Sequence, residues 1–135
     1  MAEDYFAKKG AKAATATATE DLMALAKLRK AVSKGRGFPQ IARLNASPEA
    51  VGYAKIAKVA DFGTRGPLTP DHSIRTKRAP AFIGEDLDAS VQQYADDYAA
   101  YFQRHAKGQT MLDPAPRFAI WPNKGVVSFG DTLKD

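Results

Sequence analysis

Residues 113–135 read DPAPRFAIWPNKGVVSFGDTLKD, and the fold class turns on this stretch. Arg117 to Trp121 is mostly apolar and aromatic, Pro122 to Gly125 supplies turn residues, and Val126 to Phe129 is apolar again. Two short β-prone runs separated by Pro, Asn and Gly predict a pair of strands joined by a turn. Gly130 and Asp131 then read as a stop followed by the N-cap of another helix. On that reading the chain ends inside an element, and it is expected to be a cut piece of a longer protein.

Working outward from the hairpin, residues 85–107 form the clearest helix. Glu85, Asp86 and Asp88 load its start and Arg104, His105 and Lys107 its end, each sign where the helix dipole favours it. Leu87, Val91, Tyr94, Tyr98, Tyr101 and Phe102 recur at helical spacing, which marks a core-facing stripe rather than a cofactor site. Gly108 is the expected stop. Before it, Asp61 to Gly84 contains Gly63, Gly66, Pro67, Pro70 and Pro80, which excludes a long helix. We expect a loop to about His72, extended chain through IRTKR (residues 74–78), and a short strand from Ala81 to Ile83.

Further upstream, Ser47, Pro48 and Glu49 have the order of a cap, a first-turn proline and a first-turn acid. They predict a helix to about residue 60 through Val51, Ala54, Lys55 and Val59. Gln40 to Leu44 alternates apolar and polar residues, as a strand does. Leu22, Leu25, Ala26, Leu28 and Val32 trace a first helix over 19–34, with Thr19 as its cap and Gly35 and Gly37 as its stop. Residues 1–18, which include most of the low-complexity run AKAATATATE (residues 11–20), are expected to form a flexible arm. The result is an α/β fold over residues 19–135: a small mixed sheet packed by about three helices, near 19–34, 47–59 and 85–107.

The chain has 135 residues and 14.6 kDa, the size of one domain. It contains no Cys, which excludes disulfides, thiolate metal sites and a Cys nucleophile and fits a cytoplasmic location. His72 and His105 are the only histidines, so an all-His zinc site is excluded. No apolar run approaches the roughly 20 residues of a membrane helix, so no membrane partner is expected. The net charge of +5 is unevenly placed. Residues 1–80 carry 15 Lys and Arg against 7 Asp and Glu, a net of +8; residues 81–135 carry 5 against 8, a net of −3. Such a split suits an anionic partner for the first half, or docking of the two halves.

The densest chemistry lies in TPDHSIRTKR, residues 69–78, which gathers Asp71, His72, Arg75, Lys77 and Arg78. In extended chain Arg75 and Lys77 share a face. Together with His72 and Arg78 they are the candidate site for a phosphate or carboxylate anion. The competing reading is that these cations pair with acids elsewhere or on another domain. There is no GxSxG elbow and no phosphate-binding glycine loop, and catalytic residues are not assigned. A sequence pI near 9.5 raises nucleic-acid binding, but few aromatics accompany the basic clusters, so nucleic acid is not the favoured partner.

Three runs carry a resemblance. LTPDHSIRTKRAPAFIG resembles a segment of bifunctional proteins that join a class II aldolase domain to a short-chain dehydrogenase, of the rhamnulose-phosphate aldolase/alcohol dehydrogenase type. RLNASPEAVGYAKI resembles their strand–Ser-Pro-Glu–helix step, and DPAPRFAIWPNKGVVSFGDTLKD their DP-x-PR strand, turn and following strand. The resemblance covers about residues 20–135 and departs from the family at the PNKG turn and the Ala/Thr-rich arm. It implies a segment between two catalytic centres, with the aldolase metal ligands upstream and the nucleotide loop and Tyr-x-x-x-Lys pair downstream. On this reading the segment holds no cofactor, and NAD(P) and a divalent metal are implied only for the parent. Its partners are the neighbouring domains of that enzyme, together with a sugar phosphate or other anion. The alternatives are a scaffold or homo-oligomerisation module and, after it, a nucleic-acid-binding domain.

Overall fold

The computed structural model describes residues 21–134. The arm expected over 1–18 and the Thr19 cap lie outside the described residues. In chain order the elements are α1 (Leu22–Arg36), β1 (Ile41–Asn45), α2 (Pro48–Ala54), α3 (Val59–Gly63), α4 (Pro70–Thr76), β2 (Ala81–Phe82), α5 (Leu87–His105), β3 (Phe118–Trp121) and β4 (Gly125–Gly130).

The expected hairpin is β3 and β4, antiparallel in the register Phe118↔Ser128 to Trp121↔Gly125. β1 pairs antiparallel with the other edge of β4, and β2 pairs parallel with β3, giving the order β1-β4-β3-β2. This is the mixed sheet of an α/β fold. Parallel neighbours cannot be joined by a tight turn, and α5 makes the crossover from β2 to β3.

Side chains alternate across the sheet, so each face has its own core. Ala81, Ala119, Trp121, Val127 and Phe129 join Leu28 and Val32 of α1 and Val91 and Tyr94 of α5 in the larger cluster. Ile120 goes with Ala54 of α2 and Val59 of α3, packed by Phe82. Helices thus cover both faces, with α1 and α5 over one and α2 and α3 over the other.

Helix starts follow the chemistry of short polar side chains. Asp21 accepts from the Ala24 amide at 2.9 Å, Ser47 from Ala50 at 3.2 Å, and Asp86 from Ala89 at 2.9 Å. Gly37, at φ 88°, ends α1, while Gly35 lies within the helix rather than stopping it.

Two expectations need correction. The helix expected over residues 47–60 is two helices, because Lys55 caps α2 and Lys58 turns left-handed at φ 63° before α3. The stretch expected as a loop to His72 followed by extended IRTKR contains α4 instead. Pro70 occupies the first turn, where its missing N–H costs nothing, and Thr76 Oγ1 donates to the His72 carbonyl at 2.7 Å. The described helices therefore number five, against about three expected.

The hairpin turn depends on Gly125, at φ 124°; a Cβ there would lie 2.1 Å from the Asn45 carbonyl oxygen. Both the backbone angle and the space exclude a side chain. Gly125→Ala is expected to cost about 2–4 kcal/mol in urea melts, and an unchanged midpoint would contradict the turn geometry.

Candidate functional site

The charged run at residues 71–78 divides at the end of α4. Thr76 is the last helical residue, and Lys77 follows at φ 61°, ψ −177°, a backbone region that side chains rarely occupy. That reversal turns Lys77 inward, where it is 4% exposed. Its Nζ donates to the carbonyl oxygens of Asp113 and, at 2.8 Å, Ala115. It also stands 3.9 Å from Asp113 Oδ1 and 4.0 Å from the centre of the Tyr98 ring. A cation deprived of water here gains two carbonyls, a carboxylate and an aromatic face in exchange.

Asp113 is the hub. Arg117 grips it in a fork, Nη1 to Oδ1 at 3.0 Å and Nη2 to Oδ2 at 2.6 Å, and Arg36 Nη1 also reaches Oδ2. Arg36 extends through Nη2 to Asp131 at 3.4 Å, and Gln40 Nε2 donates to the same carboxylate at 2.9 Å. Asp131, expected to cap a further helix, thus pins the end of β4 to the end of α1; residues 131–134 form no helix. The cluster joins Arg36 and Lys77 of the basic half to Asp113 and Asp131 of the acidic half, with Arg117 of the acidic half completing it, which agrees with the docking reading of the uneven charge.

Burial pulls the Lys77 ammonium down to about 8 from its usual 10.5, against the opposing pull of Asp113. Burial alone would raise Asp113, but the Arg117 hydrogen bond and the charges of Lys77, Arg117 and Arg36 outweigh it and hold the carboxyl at about 2. The Asp113 hydrogen bond in turn raises Arg117. Asp131 is lowered, first by the Gln40 hydrogen bond and then by Arg36.

The other three candidate residues remain outside this cluster. His72 and Arg75 are exposed on α4, with His72 Nδ1 2.7 Å from Thr69 Oγ1. Arg78 is exposed, its guanidinium 5.4 Å from the centre of the Tyr101 ring. Lys77 is therefore withdrawn from His72, Arg75 and Arg78, and it shares no face with Arg75. Arg36 and the hub role of Asp113 were not singled out from sequence. The available signal was DPAPR, where two prolines stiffen the chain between an acid and an arginine four residues on.

Two outcomes follow from this wiring. Lys77→Met strands two carbonyls and removes a countercharge of Asp113, so urea melts should show a loss of about 2–4 kcal/mol. Asp113 has a folded pKa below its unfolded value, so its stabilisation is complete above about pH 4 and disappears as pH falls through about 2. The stability gap between wild type and Asp113→Asn should be about 1–2 kcal/mol above pH 4, allowing for solvent screening, and close toward pH 2. A gap independent of pH would rule out the charged hub.

The comparisons bear on this arrangement. The family described as "Aldolase class II, second domain" matches residues 16–135. The uncharacterized oxidoreductase YuxG of Bacillus subtilis (strain 168) is 30% identical over 78 residues, covering 48% of this chain and 11% of the relative. The chain thus spans about a tenth of the length of that curated relative. No solved structure matches.

Proposed function

The chain belongs to the family of class II aldolase second domains, and from that premise we propose that it is a non-catalytic domain of a longer enzyme. The parent in this reading is a bifunctional class II aldolase/short-chain dehydrogenase of the rhamnulose-phosphate aldolase/alcohol dehydrogenase type, acting on sugars or sugar phosphates. Its metal and NAD(P) belong to segments on either side of this one. The oxidoreductase name of the distant relative supports the coarse class.

One observation carries the domain role. α4, which bears most of the PDH-x-IRTKR run, has no buried residue. Leu68 just before it is 101% exposed and Ile74 on it is 76% exposed. A seven-residue helix is marginal in water by itself, and packing against a neighbouring segment would stabilise it. Adjoining segments of the same polypeptide are the cover this reading supplies.

The gene around the coding stretch gives the first check: a glycine-rich strand–turn–helix soon after residue 135 supports the parent enzyme, and a stop codon there removes the downstream dehydrogenase and weakens this reading. The second check is activity. The isolated chain is expected to show neither ketose-phosphate cleavage nor NAD(P)-dependent oxidation, and turnover by the chain alone would reject the non-catalytic role. Leu68→Ser with Ile74→Ser should leave the melt of the isolated chain within about 0.5 kcal/mol, since neither side chain is buried. Light scattering tests the scaffold alternative: a dimer that the double substitution converts to monomer would assign the cover to a second copy.

A further inference from the structure

We propose that the cleft between α5 and the chain entering β2 binds a small organic anion with a flat ring, best matched by the phosphate monoester of a ring-sized alcohol. The cleft is about 280 Å³. Arg78 and Arg104 line it together with Phe82, Tyr98 and Tyr101, and Asp97 contributes the opposing charge.

The two arginines supply the anion chemistry. Among the described residues neither has a carboxylate within ion-pair distance. The contact Arg78 makes is with the face of Tyr101, which leaves the N–H edge of its guanidinium for an acceptor. Asp97 accepts from Gln93 of its own helix at 3.1 Å. Two guanidiniums and one carboxylate leave a net positive lining, and a phosphate dianion answers both arginines at once.

The walls supply the ring chemistry. Phe82, Tyr98 and Tyr101 line the cleft, and with Lys77 over Tyr98 and Arg78 and His105 against Tyr101 a planar body meets these rings chiefly in edge contacts. The volume falls just below the usual range of ligand pockets, roughly 300–1,000 Å³, so the occupant is about one ring with its anionic group. Tyr98 is contacted from within by Lys77, 4.0 Å from its ring centre. This places the anion at Arg78 and Arg104, on two elements, and leaves His72 and Arg75 outside. The proposal stands whether or not the chain is part of a longer enzyme.

Titration calorimetry on the 135-residue chain tests it, with phenyl phosphate, inorganic phosphate and phenol as probes. Phenyl phosphate should bind about tenfold or more tightly than either fragment, because only it engages both the arginines and the rings. Arg78→Gln and Arg104→Gln should each weaken it about fivefold or more with melts unchanged, since both side chains are exposed. Arg29→Gln, an exposed cation of α1 outside the cleft, should leave binding as it is. Inorganic phosphate binding as tightly as phenyl phosphate would overturn the proposal, as would equal weakening by Arg29→Gln. Absence of saturable phenyl phosphate binding would also overturn it.

Discussion

The Lys77 ammonium, sunk among backbone carbonyls beside the Asp113 carboxylate, is the contact on which the rest of the arrangement depends. Lys77 sits in a backbone conformation that costs of order 1–3 kcal/mol and persists only where its surroundings enforce it. The enforcement is visible: two carbonyl acceptors, a carboxylate and the Tyr98 ring all receive one side chain. Replacing the cluster wholesale by apolar groups need not weaken a protein, but removing one member of it does. The cluster therefore acts less as a reservoir of stability than as a specifier of how α4, α5 and the approach to β3 meet.

Its members come from distant parts of the chain. Arg36 ends α1, Lys77 follows α4, Asp113 and Arg117 precede and enter β3, and Asp131 follows β4. Each lies at the end of a regular element or in the chain beside one, where a side chain can change direction. Cations from the first half meet acids from the second, so the uneven charge of the sequence is spent partly inside the molecule. Of the two chemically dense runs, IRTKR contributes Lys77 and DPAPR contributes Asp113 and Arg117. Together they make one ion-paired joint.

The parts of the fold legible in the sequence were those governed by local chemistry. The hairpin was announced by its turn residues, α5 by its aromatic stripe and end charges, and α2 by Ser47-Pro48-Glu49. The strand register, with its core-facing Ala119, Trp121, Val127 and Phe129, follows from alternation once the turn is placed. What could not be read was set by tertiary contacts or by a single unusual dihedral. Lys58 breaks a continuous apolar pattern by turning left-handed, a conformation that a lysine does not advertise. Pro70 has the look of a helix breaker in the sequence, whereas at the first turn it starts one. Nothing local to Arg36 in the sequence names its partners, and only the fold brings Asp113 and Asp131 to it.

The same dihedral separates two roles that the sequence merges. Five charged or titratable residues within 71–78 suggest one ligand site if the chain is extended, because alternate side chains then line up. A helix that stops at Thr76 and a left-handed residue directly after it send Lys77 inward and leave His72, Arg75 and Arg78 at the surface. Lys77 then serves the joint, and Arg78, one residue later, faces the aromatic wall of α5. Tyr98 touches both environments, since it receives the Lys77 ammonium and also lines the cleft beside Arg78. A charge that looked available for binding is thereby converted into the support of a neighbouring surface. Density of charge along a sequence marks where electrostatics matter, and the backbone angle at one residue decides which of these charges is buried in the joint and which stay at the surface.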